Sequence, residues 1–373
     1  MRKAIITFAI YSFIIASLLV AILGLKPDIV DIERYCPAII NPNHSVAFGE
    51  AHTAFVKSDG TLWLYGNNEY GQLGNGTSES LNSPEQIQGF TEVISVAAGE
   101  DHTIALKKDG TVWAWGNNSR GQLGNVSIQY SLSPIMVSNL TDVKEIASGS
   151  YFNVALKSDG TVWVWGYNEE GMLFSEKTED ILLPIKMDKL PKVKFIDISS
   201  DFIFAFAEDN EVYIWGRDRF FSVHAVVFKP GRLEGLKDII QIKLFDGNMY
   251  ALTKSGRVWR ASYYKFPIED RLETVVYSFN EIVEIAQLDD VIQIESGTSQ
   301  LLFLKRDGTI WGIGSDYYDQ FGMEDYDDIP KECKSITGAK RIEANYDQSA
   351  AIHNNDSVDI WGKDNNTKFN LNK

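Results

Sequence analysis

Hydrophobic and polar positions alternate in short stretches along most of this chain, and the alternation returns at a fixed interval. Val93 to Ala98 is one such stretch, β-branched and alternating, and His102 to Lys107 is the next. Between the second and a third stretch, Thr111 to Trp115, stands Asp109-Gly110, a dipeptide that supplies the positive φ of a tight hairpin turn. Side chains alternate along a strand, so Trp113 and Trp115 share one face. A loop from Gly116 to Asn125 and a last strand near Pro134 to Val137 complete the unit. Glu50 to Asn75 repeats Glu100 to Asn125 almost intact, and Ser150 to Phe174 repeats it again. Self-similarity of this size marks solenoids and propellers.

The first aromatic after the Asp-Gly turn gives the copy number. It reads Trp63, Trp113, Trp163, Tyr213, Trp259 and Trp311, with Asp359 at the same place in a worn last copy, at intervals of 50, 50, 50, 46, 52 and 48 residues. Seven copies of four short strands predict an all-β chain, a seven-bladed propeller in which radial repetition leaves few open sheet edges. Proline opens the expected outer strands at Pro84, Pro134, Pro184 and Pro330. The last copy leaves no evident room for its own outer strand, so Pro37 to Ile40 is expected to complete the seventh blade and close the ring.

Periods near 50 also suit kelch repeats, and the motif decides. Repeat two carries Gly99, His102, Asp109-Gly110, Trp115-Gly116, Asn118 and Gly121-Gln122-Leu123-Gly124, and repeat one matches it. Repeat three has Phe152 for the histidine and Met172-Leu173-Phe174 for Gln-Leu-Gly. Repeat four retains Trp215-Gly216, repeat five little beyond Ser255-Gly256 and Trp259, and repeat six Asp307-Gly308-Thr309 and Trp311-Gly312. This string resembles the RCC1-type repeat of the regulator of chromosome condensation family. The resemblance runs from about Pro37 to the C-terminus and implies an interaction platform built on a seven-bladed ring.

Ahead of the repeats, Ala4 to Leu25 is 22 residues without a charge, enough to cross about 30 Å of hydrocarbon as a helix. Residues 1–25 therefore read as a transmembrane signal anchor, or alternatively a cleaved signal peptide, followed by a linker over 26–36 and the propeller over 37–373. Arg2 and Lys3 favour a cytoplasmic N-terminus, although Lys26 weakens the asymmetry. The propeller would then lie outside the cytoplasm, single-pass and membrane-anchored, or secreted if the segment is cleaved. The composition points weakly to a bacterial source.

The net charge is −16, without a basic stripe, which argues against nucleic acid and favours cationic partners. Cys36 and Cys333 fall on outer strands of neighbouring blades, which splay apart at a propeller's rim, so a bridge between them is not the favoured reading. Neither cysteine has a ligand at metal spacing, and no metal or cofactor is expected.

Few residues look chemical. The column of His52 and His102 continues as Phe152, Phe202, Asn248, Gln300 and Gln348, a series that fits packing and bonding within blades rather than proton transfer. His44, His224 and His353 have no partner at a recognisable spacing. Lys57-Ser58-Asp59-Gly60-Thr61 is similar to the Asp-box turn of sialidase-type propellers, but a hairpin turn accounts for it. Glu324 to Asp328 reads as a solvated acidic loop rather than a calcium site.

What varies is one face, onto which the turn after the Gly column and the loop after Trp-Gly should both open. Its binding candidates are Glu50, Tyr70, Glu100, Asp101, Arg120, Tyr151, Glu169, Asp201, Arg217, Phe220, Tyr317, Tyr318 and Tyr346, a mixture of aromatics and acids. The expectation is a monomeric, non-enzymatic module that grips a protein or peptide. Alternatives are a propeller enzyme acting on cell-surface glycans or peptides, for which no catalytic constellation is evident, and a guanine-nucleotide exchange factor, which the N-terminal segment opposes.

Overall fold

The computed structural model describes residues 45–168, 171–173, 179–218, 226–262, 268–271, 274–278, 282–314, 327–362 and 367–370. The hydrophobic segment 4–25, Cys36, the Pro37–Ile40 stretch, His44, His224 and most of the acidic run at 324–328 lie outside them.

Among the described residues seven sheets follow one another along the chain, one per repeat, and the four strands of each repeat pair antiparallel from the channel outward. In blade two they are Val93–Ala98, His102–Lys107, Val112–Asn117 and Tyr130–Met136, from the channel outward. The aromatic column holds one register throughout. Trp113 lies opposite Ala105 and Met136, Trp259 opposite Ala251 and Glu284, and even Asp359 opposite Ala351 and Lys368. Trp113 and Trp115 do share a face, since both meet the edge of Phe90, at centroid distances of 5.6 and 5.7 Å. The Asp-Gly turns are hairpins: Asp109 Oδ1 accepts the Thr111 N–H at 3.0 Å and its hydroxyl at 2.6 Å, and these bonds lower the Asp109 pKa.

The outer-strand prolines mark something other than a strand start. In blade two, Ala114 faces Ile135 but Gly116 faces Ser131, so Pro134 sits within a bulge and the strand begins four residues earlier, at Tyr130. Pro84, Pro184 and Pro330 fall in the same irregularity. A residue without an N–H fits an edge strand at a place where no ladder bond is made.

Ring closure also differs from expectation. The seventh blade takes its outer strand from its own repeat: Thr367–Asn370 pairs antiparallel with Ser357–Gly362, Ser357 opposite Asn370. Only four residues, 363–366, connect these strands, against fourteen, 67–80, in blade one, and so short a return leaves the chain long enough to finish the blade. The seam is closed by side chains. Asn345 Nδ2 donates to the Phe48 carbonyl at 2.8 Å, and Val46, Phe48 and Phe55 pack with Ala350, Ile352 and Val358.

Repeat five, whose motif is nearly gone, still makes four strands, the outermost being Val283–Glu284. Before it the chain forms a hairpin, Ile268–Arg271 with Thr274–Ser278. The second of these strands runs parallel to the outer strand of blade four, Val226–Glu234, and extends that sheet to six strands. The long edge of blade four is thereby covered.

Neighbouring blades are locked by the repeat motif itself. The Gln72 carbonyl of blade one accepts the Trp115 indole N–H and the Thr103 hydroxyl of blade two, each at 2.8 Å. One step on, the Gln122 carbonyl accepts Trp165 at 3.0 Å and Asn153 at 2.8 Å. His102 Nε2 lies 2.9 Å from Asn153 Oδ1, and His52 Nε2 lies 2.9 Å from Thr103 Oγ1, so the histidine column ties blade to blade. Burial pushes the pKa of His52 down to about 3 and that of His102 to about 4, which keeps both rings neutral. The Gly column makes room for them: a Cβ on Gly99 would stand 2.1 Å from His102 Cε1 and 2.7 Å from the Gly149 carbonyl oxygen of the next blade.

Gly99→Ala should therefore cost at least about 2 kcal/mol of stability, the overpacking range. His102→Ala should cost less in the Gly99→Ala background than in the parent, because the clash with the ring is gone, while the Gly149 carbonyl remains in the way. Denaturant titration of the two single variants and the double variant checks this, and a double variant as stable as His102→Ala alone would show that the ring contact alone excludes a side chain.

Candidate functional site

The turn after the first strand and the loop after the third strand of each blade open on the same side. The Asn67, Asn117, Tyr167 and Arg217 N–H groups of the loops donate to the carbonyls of Ala51, Asp101, Tyr151 and Asp201 in the turns, at 2.7, 2.9, 2.9 and 3.2 Å. The loops are held from within in blades one and two. Asn68 Oδ1 accepts the Leu73 N–H at 2.9 Å while its amide donates to the Thr77 and Glu79 carbonyls, and Gln72 Oε1 accepts the Tyr70 N–H at 3.0 Å.

In the middle of this face opens a channel of about 570 Å³ walled by the inner strands of all seven blades. Its rim is stitched by backbone bonds between blades, Glu100 N to Ser150 O at 2.9 Å and Thr298 N to Tyr346 O at 2.6 Å. Of the residues singled out from the sequence, Glu50, Glu100, Asp201, Arg217 and Tyr346 line the channel. Tyr151 donates its hydroxyl to Glu100 and so adjoins them. Asp101 receives the Gln72 amide at 3.3 Å. Burial raises its pKa to about 6, with Glu100, Glu50 and Glu69 adding repulsion.

Tyr346 reaches from the blade-seven turn, at φ 47°, to a hydrogen bond with Ser150 of blade three. Burial and then the charges of Glu100, Glu50 and Asp201 drive its pKa upward, against the Ser150 bond. Arg120 stands farther out, ion-paired with Asp180 at 3.4 Å, and Tyr70 is an exposed loop residue. Glu169, Phe220, Tyr317 and Tyr318 lie outside the described residues.

Sequence reasoning missed two sets of residues. One is Tyr167, which has two guanidinium groups beside it: Arg120 lies 5.1 Å and Arg217 5.7 Å from its ring, and Arg217 also donates to its hydroxyl at 2.6 Å. The other is the channel wall. Two residues before the Gly column the inner strands carry Ala47, Ala97 and Ala147 in blades one to three, then Asp197, Lys243, Glu295 and Glu343 in blades four to seven. Reading that column beside the Gly column would have found them. Lys243 Nζ lies 2.7 Å from Asp197 and 3.0 Å from Glu295; burial pulls its pKa down, but the two carboxylates outweigh it and keep the ammonium charged. Arg341 pairs with Glu343 at 2.7 Å.

One layer deeper, Gln241 and Gln293 each accept an inner-strand N–H of the next blade, Ile294 at 2.8 Å and Ile342 at 3.0 Å. Glu145 does the same for Ile196 at 3.2 Å, and burial lifts its pKa to about 8. A protonated acid thus stands where glutamine serves elsewhere. His353 does find a partner, Asp359 at 3.4 Å in its own blade. Among the described residues no three His, Cys, Asp or Glu side chains converge as a metal site.

The model of the RCC1-like domain matches residues 21–263, and the chain belongs to that family. Solved propellers share the fold. Human WBSCR16 is 19% identical with a TM-score of 0.68, covering 81% of this chain and 84% of that one. Prp20p of Saccharomyces cerevisiae is 20% identical with a TM-score of 0.64, covering 83% and 82%. The CRINKLY WD40 ectodomain of the Arabidopsis thaliana receptor kinase ACR4 is 15% identical with a TM-score of 0.51, covering 88% and 98%. No curated protein matches the sequence.

Glu145 has a pH signature. Its folded pKa lies above the unfolded value of 4.5, so the stability it contributes is complete below about pH 4.5 and is lost as pH rises toward 8. Glu145→Gln, which removes that loss, should match the parent protein near pH 5 and exceed its stability by about 2–4 kcal/mol at pH 8. Thermal melts at the two pH values check it; equal gains at both would place the ionisation elsewhere.

Proposed function

We propose that this protein is a non-enzymatic interaction module, held outside the cytoplasm by segment 4–25 or secreted if that segment is cleaved, which grips a cationic protein or peptide on the face where the channel opens. The carrying observation is the meeting of Glu50, Glu100, Asp101 and Asp201 with Tyr151 and Tyr346 at the centre of that face, inside a rim of loops that differ from blade to blade. Aromatic residues supply contact area, and acids of one sign steer a partner of the other. The family supports the reading at the level of fold. Prp20p is described by its binding to Gsp1p and histones, and this chain shares its architecture without a claim to its targets.

Carboxylates with raised pKa values would suit a propeller hydrolase. Glu145, whose pKa burial raises to about 8, accepts a backbone N–H of the next blade, which supports a structural role for it.

Protease treatment of intact cells carrying a C-terminally tagged copy tests the location. Loss of the tag while a cytosolic control survives is the expected outcome, and protection until lysis would overturn it. Capture of surface and secreted proteins by the purified chain tests the face. Binding should weaken at least about tenfold between roughly 50 and 500 mM salt, and binding that ignores salt would rule out an acid-steered partner.

A further inference from the structure

The channel is neither a uniformly polar nor a uniformly apolar hole. Its volume, about 570 Å³, is that of a site for a small group. The alanines of blades one to three form one side of its wall, and the ionic residues of blades four to seven form the other. That ionic half is matched internally, Lys243 against Asp197 and Glu295, and Arg341 against Glu343.

The mouth carries mainly negative charge. Carboxylates of Glu50, Glu100 and Asp201 line it, Asp101 stands beside them, and the guanidinium that lines it with them, Arg217, is turned to the Tyr167 hydroxyl. Tyr346 crosses this negative region from blade seven to blade three. An aromatic ring among carboxylates at the entrance of a cavity fits a cationic head.

We infer that the channel mouth receives a single lysine or arginine side chain projected by the bound partner, its charged head held among Glu50, Glu100 and the Tyr346 ring. The inference rests on the interaction reading above and names the chemistry at its centre. A neutral side chain of the same length leaves the carboxylates as they are, so the site discriminates by charge as well as shape.

The test is calorimetric titration of the full chain, purified in mild detergent, with the blocked tripeptide acetyl-Gly-Lys-Gly-amide. Its arginine and Nε-acetyl-lysine counterparts and the free polyamine spermidine are titrated in parallel. The lysine and arginine peptides should bind at least about tenfold more tightly than the acetyl-lysine peptide. Glu50→Gln with Glu100→Gln should abolish that preference, Tyr346→Leu should weaken it, and Tyr346→Phe, which keeps the ring, should retain it. Glu85→Gln, on the exposed outer strand of blade one, should bind as the parent does. Melting curves establish that each variant is folded, and exposed Glu50→Gln alone replaces the double variant if that one is not.

Equal binding of the lysine and acetyl-lysine peptides would overturn the inference. So would spermidine binding without peptide binding, which would make the ligand a free polyamine. A surface protein captured equally by parent and Glu50→Gln/Glu100→Gln chains would overturn side-chain insertion and leave the interaction reading standing. Lysine-selective binding with no captured protein would support the site and sink the wider reading.

Discussion

A single carbonyl carries much of this architecture. The Gln72 oxygen lies under the next blade and accepts both the Trp115 indole and the Thr103 hydroxyl, and Gln122 repeats the arrangement one blade on. A buried carbonyl must be paired, and a buried tryptophan needs an acceptor for its N–H, so loop and blade satisfy each other or neither is stable. The other motif residues follow from this. Asn68 and the Gln72 side chain hold the loop that presents the carbonyl, and Gly74 stays bare because a Cβ there would stand 2.7 Å from Trp115 Nε1. Where repeat three loses Gln-Leu-Gly, Trp215 Nε1 finds no such acceptor among the described residues.

Past that point the lock changes character. Blades five to seven are joined nearer the axis, by Gln293 to the Ile342 carbonyl at 2.7 Å, by Gln300 to the Gln348 carbonyl at 3.0 Å, and by Lys243 between two acids. Buried ion pairs add little net stability, but losing one partner is costly because the other charge stays behind, unpaired. The loss of the outer motif in the later repeats thus coincides with a charged inner wall. The channel's two unlike halves are a by-product of two ways of joining blades.

Function is grafted onto that frame. His52, His102 and Glu145, which tie blade to blade, are buried and neutral, the histidines bonded to side chains of the next blade and Glu145 to a backbone N–H. At the mouth, burial raises the pKa of Asp101 and of Tyr346, and the charges of Glu100 and Glu50 add to both shifts. This separation lets the exposed loop positions vary without disturbing the fold, because backbone bonds from loop to turn and the buried Asn68 and Gln72 side chains do the anchoring.

The amino-acid sequence by itself determined the number of blades, the aromatic register and the face on which the variable loops open, since each depends on local periodicity and on turn residues that act within a few positions. It was misleading where distant segments compete for one place. Thr367–Asn370 completes blade seven because the connection before it is short, and the prolines sit in bulges because pairing with Gly116 and its counterparts starts earlier. Part of the channel lining was legible too, since Glu50, Glu100, Asp201, Arg217 and Tyr346 were visible as turn and loop residues. The wall was not. Asp197, Lys243 and Glu295 are about fifty residues apart and look like ordinary strand positions, and only closing the ring brings one ammonium between two carboxylates. Tertiary structure alone made that decision, because a charge buried on a strand is tolerable only when a neighbouring blade supplies its partner.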